Sequence, residues 1–141
     1  MNATVFLRIA AVILLLHFLG HTVGGVLSGP SHGAAEIAVR QTMGASQFDF
    51  MGSLRSYWDF YFGYGVALSA VLLFHVVLLW QLASLARTVP AQVRVFIPAL
   101  FVEWVAFAII GWRYFFVAPM VMSIATALCL AMAFQLAGRQ R

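Results

Sequence analysis

Four long apolar runs, at about residues 5–28, 57–86, 95–117 and 120–137, constrain what this chain can become. Each reaches or approaches the ~20 residues that a helix rising ~1.5 Å per residue needs to cross a ~30 Å hydrocarbon core. With 64% of its 141 residues hydrophobic and 9% charged, the chain has too little charge to cover a soluble domain of this size. Its length suits one domain, residues 1–141, rather than two. The expected fold is therefore all-α: an integral membrane four-helix bundle of antiparallel up-down transmembrane helices. Both termini fall on one side, and a short outer-side helix occupies the linker, residues 29–56.

The formal charge of +4 comes entirely from arginine, since the chain has no lysine. The arginines stand singly between apolar runs, so they read as topology determinants rather than a phosphate-binding patch, and nucleic acid is not an expected partner. Four spans put Arg8, Arg87, Arg94, Arg139 and Arg141 on one side. The opposite side carries Arg40 and Arg55, offset by Glu36 and Asp49, with Arg113 near the end of the third span. The positive-inside rule then places both termini in the cytoplasm, in a plasma or bacterial inner membrane. The first run is not expected to be a cleaved signal peptide: Arg8 is its only charged flank, its apolar core is long, and no A-x-A site follows. The single Cys129 excludes an internal disulfide and a cysteine-based metal cluster, and reads as a small packing residue.

In the linker, Pro30-Ser31 reads as a helix start, with a short helix from Gly33 to Met43 stopped by Gly44. Phe48-Asp49-Phe50 and the stretch from Tyr57 to Phe62 are crowded with aromatics. They form either an interfacial belt or a lid over the outer mouth of the bundle. The loop from Arg87 to Arg94 enforces a hairpin of spans two and three, and Pro119 marks a tight outer turn between spans three and four.

Ionisable groups inside a membrane are costly unless they face protein, water or a ligand. His17 and His21, four residues apart, share a helix face flanked by Gly20 and Gly24. In span two, Tyr57, Tyr61, Tyr64 and His75 fall within roughly 60° of one another at ~100° per residue, with Asp59 almost opposite. In span three, Glu103 lies roughly two turns inside the cytoplasmic edge, on a stripe with Phe107, Ile110 and Tyr114 and with Arg113 to one side. A carboxyl group at that depth is protonated, paired or lining water: either a candidate acid or base, or a partner in a hydrogen bond to a neighbouring helix. Counting helix rise gives two layers: His17, His75 and Glu103 in the middle to inner half, and His21, Asp59, Arg113 and Tyr114 toward the outer side. Span four offers Ser123, Thr126, Cys129 and Gln135 among alanines, which points to close helix packing.

The leading expectation is an intramembrane pocket for a hydrophobic small molecule of lipid, isoprenoid, sterol or quinone type. His17, His75 and Glu103 are its candidate catalytic groups, moving a proton. His21, Asp59, Tyr61, Tyr64, Arg113 and Tyr114 are its candidate ligand-binding groups, with Arg113 and Asp59 fixing a polar head. One alternative is an accessory subunit of a larger membrane complex, its polar groups serving as interhelical glue. Another is a b-type haem electron carrier, ligated by His17 or His21 together with His75. The His17-x-x-x-His21 pair lacks the glutamate after the first histidine that zinc proteases use, so no metal site is expected. The expected partners are the lipid bilayer and a hydrophobic small molecule, with a second copy of the chain or a membrane complex as further candidates. No phosphate loop, nucleotide fingerprint, hydrolase elbow or internal repeat is visible. The four-span layout is similar in outline to small membrane isomerases of the emopamil-binding type and to DoxX-like proteins. That likeness is one of architecture alone and carries no residue across.

Overall fold

The computed structural model describes residues 2–139; Arg141, counted above for topology, lies outside them. The protein is mostly helical, at 80%. Four helical stretches among the described residues are long and apolar enough to cross a membrane, which marks an integral membrane protein: Ala3–Val26, Tyr57–Leu85, Pro90–Tyr114 and Val117–Arg139. The elements in order are α1 (Ala3–Leu19), a π-helical segment (Gly20–Val26), α2 (Ala34–Ala45), β1 (Gln47–Phe50), β2 (Ser53–Ser56), α3 (Tyr57–Leu85), α4 (Pro90–Arg94), α5 (Ile97–Tyr114) and α6 (Val117–Arg139).

Several boundaries differ from those expected, each for a local reason. The first span starts two residues early, where the Asn2 side chain accepts the Val5 amide at 3.2 Å and caps the helix. The stretch between spans two and three is not all loop, because Pro90 opens α4. Span four begins at Val117, so Pro119 sits inside the first turn of α6 rather than in the connection before it. Proline fits there because the first helical N–H groups have no intrahelical acceptor to lose. Gly44 does not stop α2, which runs through it to Ala45.

The chain divides into two compact units, Met1–His17 with Leu72–Arg141, and Phe18–Val71. In the first, buried residues of α1 recur at three- and four-residue spacing: Leu7, Ala10, Ala11 and Leu14. Leu72, Leu79, Ile97, Leu100, Trp104, Leu130 and Ala133 are buried with them. Helices α5 and α6 pack closely: a Cβ on Gly111 would lie 3.1 Å from Met120 Cα. The hydroxyls of Ser123 and Thr126 donate at 2.8 Å to carbonyls one turn back, at Pro119 and Met122, which satisfies them without water. Arg94 of α4 donates from Nε to the Phe134 carbonyl at 3.3 Å and stacks 4.0 Å over the Phe134 ring.

In the second unit, the π-helical segment packs on α3 where Gly65 leaves room, since a Cβ there would lie 3.1 Å from Val26 Cγ2. Residues 47–56 form an antiparallel β-hairpin, with Phe50 opposite Ser53 and a two-residue turn at Met51-Gly52. Both turn residues have positive φ, 53° and 84°, as a type I′ turn requires. Asp49 Oδ1 accepts the Gly52 amide at 2.7 Å and braces the turn. Phe48 and Phe50 share one face and meet Tyr57 and Phe60 at centroid distances of 5.5 and 4.7 Å. The crowded aromatics are thus partly the packing of a hairpin on the first turn of α3.

Candidate functional site

The expected inner layer is brought together around one residue the sequence reading passed over. Glu103 and Trp104 are adjacent on α5, and His75 faces both from α3. His75 Nε2 lies 2.9 Å from Glu103 Oε2. The His75 ring stands edge-on to the Trp104 indole at 5.6 Å and 86°. His17, at the C-terminal end of α1, meets the same indole at 6.4 Å and 58°. Phe107, one turn along α5, stacks on the same indole at 5.1 Å and 29°.

Burial grades across this cluster. Trp104 is fully buried and His75 is 5% exposed, while the Glu103 side chain is 36% exposed. The carboxyl group is therefore the edge through which the cluster meets its surroundings. A histidine and a glutamate at this distance share one proton, and either ring nitrogen or carboxyl oxygen can hold it. The Trp104 Nε1–H is buried and meets no acceptor among the described residues. Buried indole N–H groups usually have a partner, so this one stands out as a donor without an acceptor among the described residues.

The remaining predicted residues have other partners. His21 Nε2 donates to the Gly65 carbonyl at 3.0 Å, beside the Thr22-to-Ser69 hydroxyl bond at 2.9 Å, so it ties the π-helical segment to α3. His21 lies in the π-helical segment Gly20–Val26 and not in α1, which ends at Leu19. Asp59 accepts the Ser56 amide and hydroxyl at 2.7 and 2.9 Å, and Ser56 Oγ accepts the Asp59 amide at 3.2 Å. This is a capping box at the start of α3, which gives Asp59 a structural duty. Tyr61 stacks on Trp58 at 5.5 Å, and Tyr64 is exposed. Arg113 sits 5.2 Å over the Tyr114 ring, ten residues and about 15 Å of helix rise from Glu103.

A haem clamped by His17 and His75 does not fit this arrangement. Trp104 is buried against both imidazoles, and Glu103 holds the Nε2 atom that axial ligation would need. Among the described residues no group of three or more His, Cys, Asp or Glu side chains is placed to hold a metal ion. Apolar grooves flank the helices elsewhere: one on α5 and α6 is lined by residues that include Phe101, Ile109, Trp112 and Leu128, and another lies beside Arg8 and Trp80.

No family model, curated protein or solved structure matches the chain.

Proposed function

We propose that the protein binds a hydrophobic small molecule, of lipid, isoprenoid, sterol or quinone type, at the His17–His75–Glu103–Trp104 cluster. The observation that carries this reading is the 2.9 Å contact between His75 and Glu103, deep in two apolar helices. Such a pair is expensive in hydrocarbon and persists where it has work to do. The orphaned Trp104 Nε1–H adds a chemical preference: the ligand carries an oxygen acceptor, a hydroxyl or a carbonyl, on an otherwise apolar body. His75 and Glu103 then hold a proton beside that oxygen, and the half-exposed carboxyl group exchanges it.

The four spans run alternately up and down with both termini in the cytoplasm. Arg8, Arg87, Arg94 and Arg139 support this orientation, and α2 with the hairpin then lies on the outer side.

Photolabelling with a long-chain alkyl diazirine tests the site. The expected result is a labelled Glu103 peptide whose yield falls when an extract of the host membrane's neutral lipids competes. Labelling spread over lipid-facing residues, unchanged by competitor, would overturn the reading.

A further inference from the structure

A second site lies near the other end of α1 and involves none of the groups above. Arg8 and Trp80 face each other there, with the guanidinium carbon 5.1 Å from the indole centroid. Arg8 is five residues from the start of α1, and Trp80 five from the end of α3, so each stands about 8 Å from its helix terminus. That is the depth at which tryptophan and arginine mark the boundary between headgroups and acyl chains. His17 lies nine residues further along α1, about 13 Å deeper.

Three observations converge at this spot. Stacking on Trp80 orients the Arg8 guanidinium. Arg8 Nε is buried yet has no hydrogen-bond acceptor among the described residues, and no carboxylate is ion-paired with Arg8 there. A groove of about 350 Å³ runs beside it, lined by Val5, Arg8, Ile9, Val12, Ile13 and Trp80. Of these, Val12 and Ile13 lie one turn deeper than Arg8, at acyl-chain depth. A fixed cation with an unsatisfied donor at the headgroup level, beside an open apolar groove that includes Val12 and Ile13, matches an anionic amphiphile in both halves.

We propose that Arg8 and Trp80 form the headgroup end of a binding site for one anionic phospholipid. The guanidinium takes the phosphate oxygens, and the groove past Val12 and Ile13 holds an acyl chain. A neutral zwitterionic lipid offers the same chain but carries its own cation to compete with Arg8, so the site discriminates by net charge.

The test is a native mass spectrum of the full-length protein from micelles holding equal amounts of dioleoyl phosphatidylglycerol, dioleoyl phosphatidylcholine and oleate. The expected result is one retained phosphatidylglycerol, preferred about tenfold or more, as one charge-assisted contact implies. Arg8→Gln removes the preference, whereas Arg87→Gln, which deletes an exposed charge on the same side, leaves it intact. Val12→Trp keeps Arg8 but blocks the chain path, and loses the bound lipid on a surface position that tolerates the change. An unchanged preference in Arg8→Gln overturns the proposal, as does an equal loss in Arg87→Gln, which would mean diffuse attraction only. Preferential retention of oleate overturns the phosphate assignment.

Discussion

His75 Nε2 and Glu103 Oε2, on α3 and α5, lie 2.9 Å apart, with the imidazole buried and the carboxyl group at the edge. The contact links the two helices and leaves the proton on either partner. Removing one partner strands the other. Glu103→Leu and His75→Phe are each expected to destabilise the protein by about 1–3 kcal/mol. The double variant should recover part of the loss, with a coupling of about 0.6 kcal/mol, the average for hydrogen-bonded pairs between membrane helices. A double-mutant cycle from reversible unfolding in mixed detergent measures it. Strict additivity would show that the contact contributes nothing.

The α5–α6 contact depends on Gly111. A Cβ at that position would meet Met120 Cα, N and Cβ at 3.1, 3.2 and 3.3 Å. Backbone atoms cannot rotate away, so Gly111→Leu should cost about 1–3 kcal/mol through overpacking, and Gly111→Ala less. The same unfolding assay reads both. A neutral Gly111→Leu would contradict the close approach.

Met51 holds φ at 53° in the hairpin turn, a conformation that favours asparagine and glycine over an unbranched hydrophobic side chain. Met51→Asn should stabilise the hairpin by relieving part of a strain of about 1–2 kcal/mol. Slower hydrogen exchange at the amides of residues 47–56 would register this. Unchanged or faster exchange would argue against the I′ turn.

Glu36 lies outside the spans, at the start of α2. The backbone N–H of His32 donates to its carboxylate, and this lowers its pKa most, from the ordinary 4.5 to about 2. Desolvation, the second-largest influence, opposes the shift, and the Ser31 amide, the His32 ring and Arg40 each add a smaller lowering. Because the folded value lies below the unfolded one, the stabilisation is fully present above about pH 4.5 and is lost as pH falls toward 2. Exchange at the Ser31 and His32 amides should therefore accelerate over that window in the wild type, beyond its intrinsic pH dependence. In Glu36→Gln the window should be flat, and a wild type that behaves like this variant would refute the hold of Glu36 on the Ser31 and His32 amides.

Much of this was readable from residue order, and the failures have physical causes. Apolar runs mark the four spans because lipid forces their backbones to satisfy themselves by helix formation. Counting helix rise also places His17, His75 and Glu103 at one level, since α1 and α3 are regular where those residues stand. The π-helical segment is not legible in Gly20–Val26, because hydropathy does not register a change in hydrogen-bond period. The hairpin left a signal in the alternation of Phe48 and Phe50 with Gly52 in the turn, but a belt of aromatics gives the same composition. Ser56 and Asp59 carry the spacing of a capping box, and that spacing explains Asp59 better than any ligand does. Trp104 could have been noticed by its position: it sits in the body of a span, whereas belt tryptophans sit at the ends.

A hydrophobic ligand held at the His75–Glu103–Trp104 cluster would survive in native mass spectra of the protein released gently from its own membrane. The wild type would be compared with His75→Gln/Glu103→Gln, and Arg8→Gln would serve to separate the lipid site on α1. The expected result is an adduct of discrete mass in the wild type and in Arg8→Gln that is absent from the double variant. A bare wild-type protein, or the same adduct undiminished in the double variant, would contradict it.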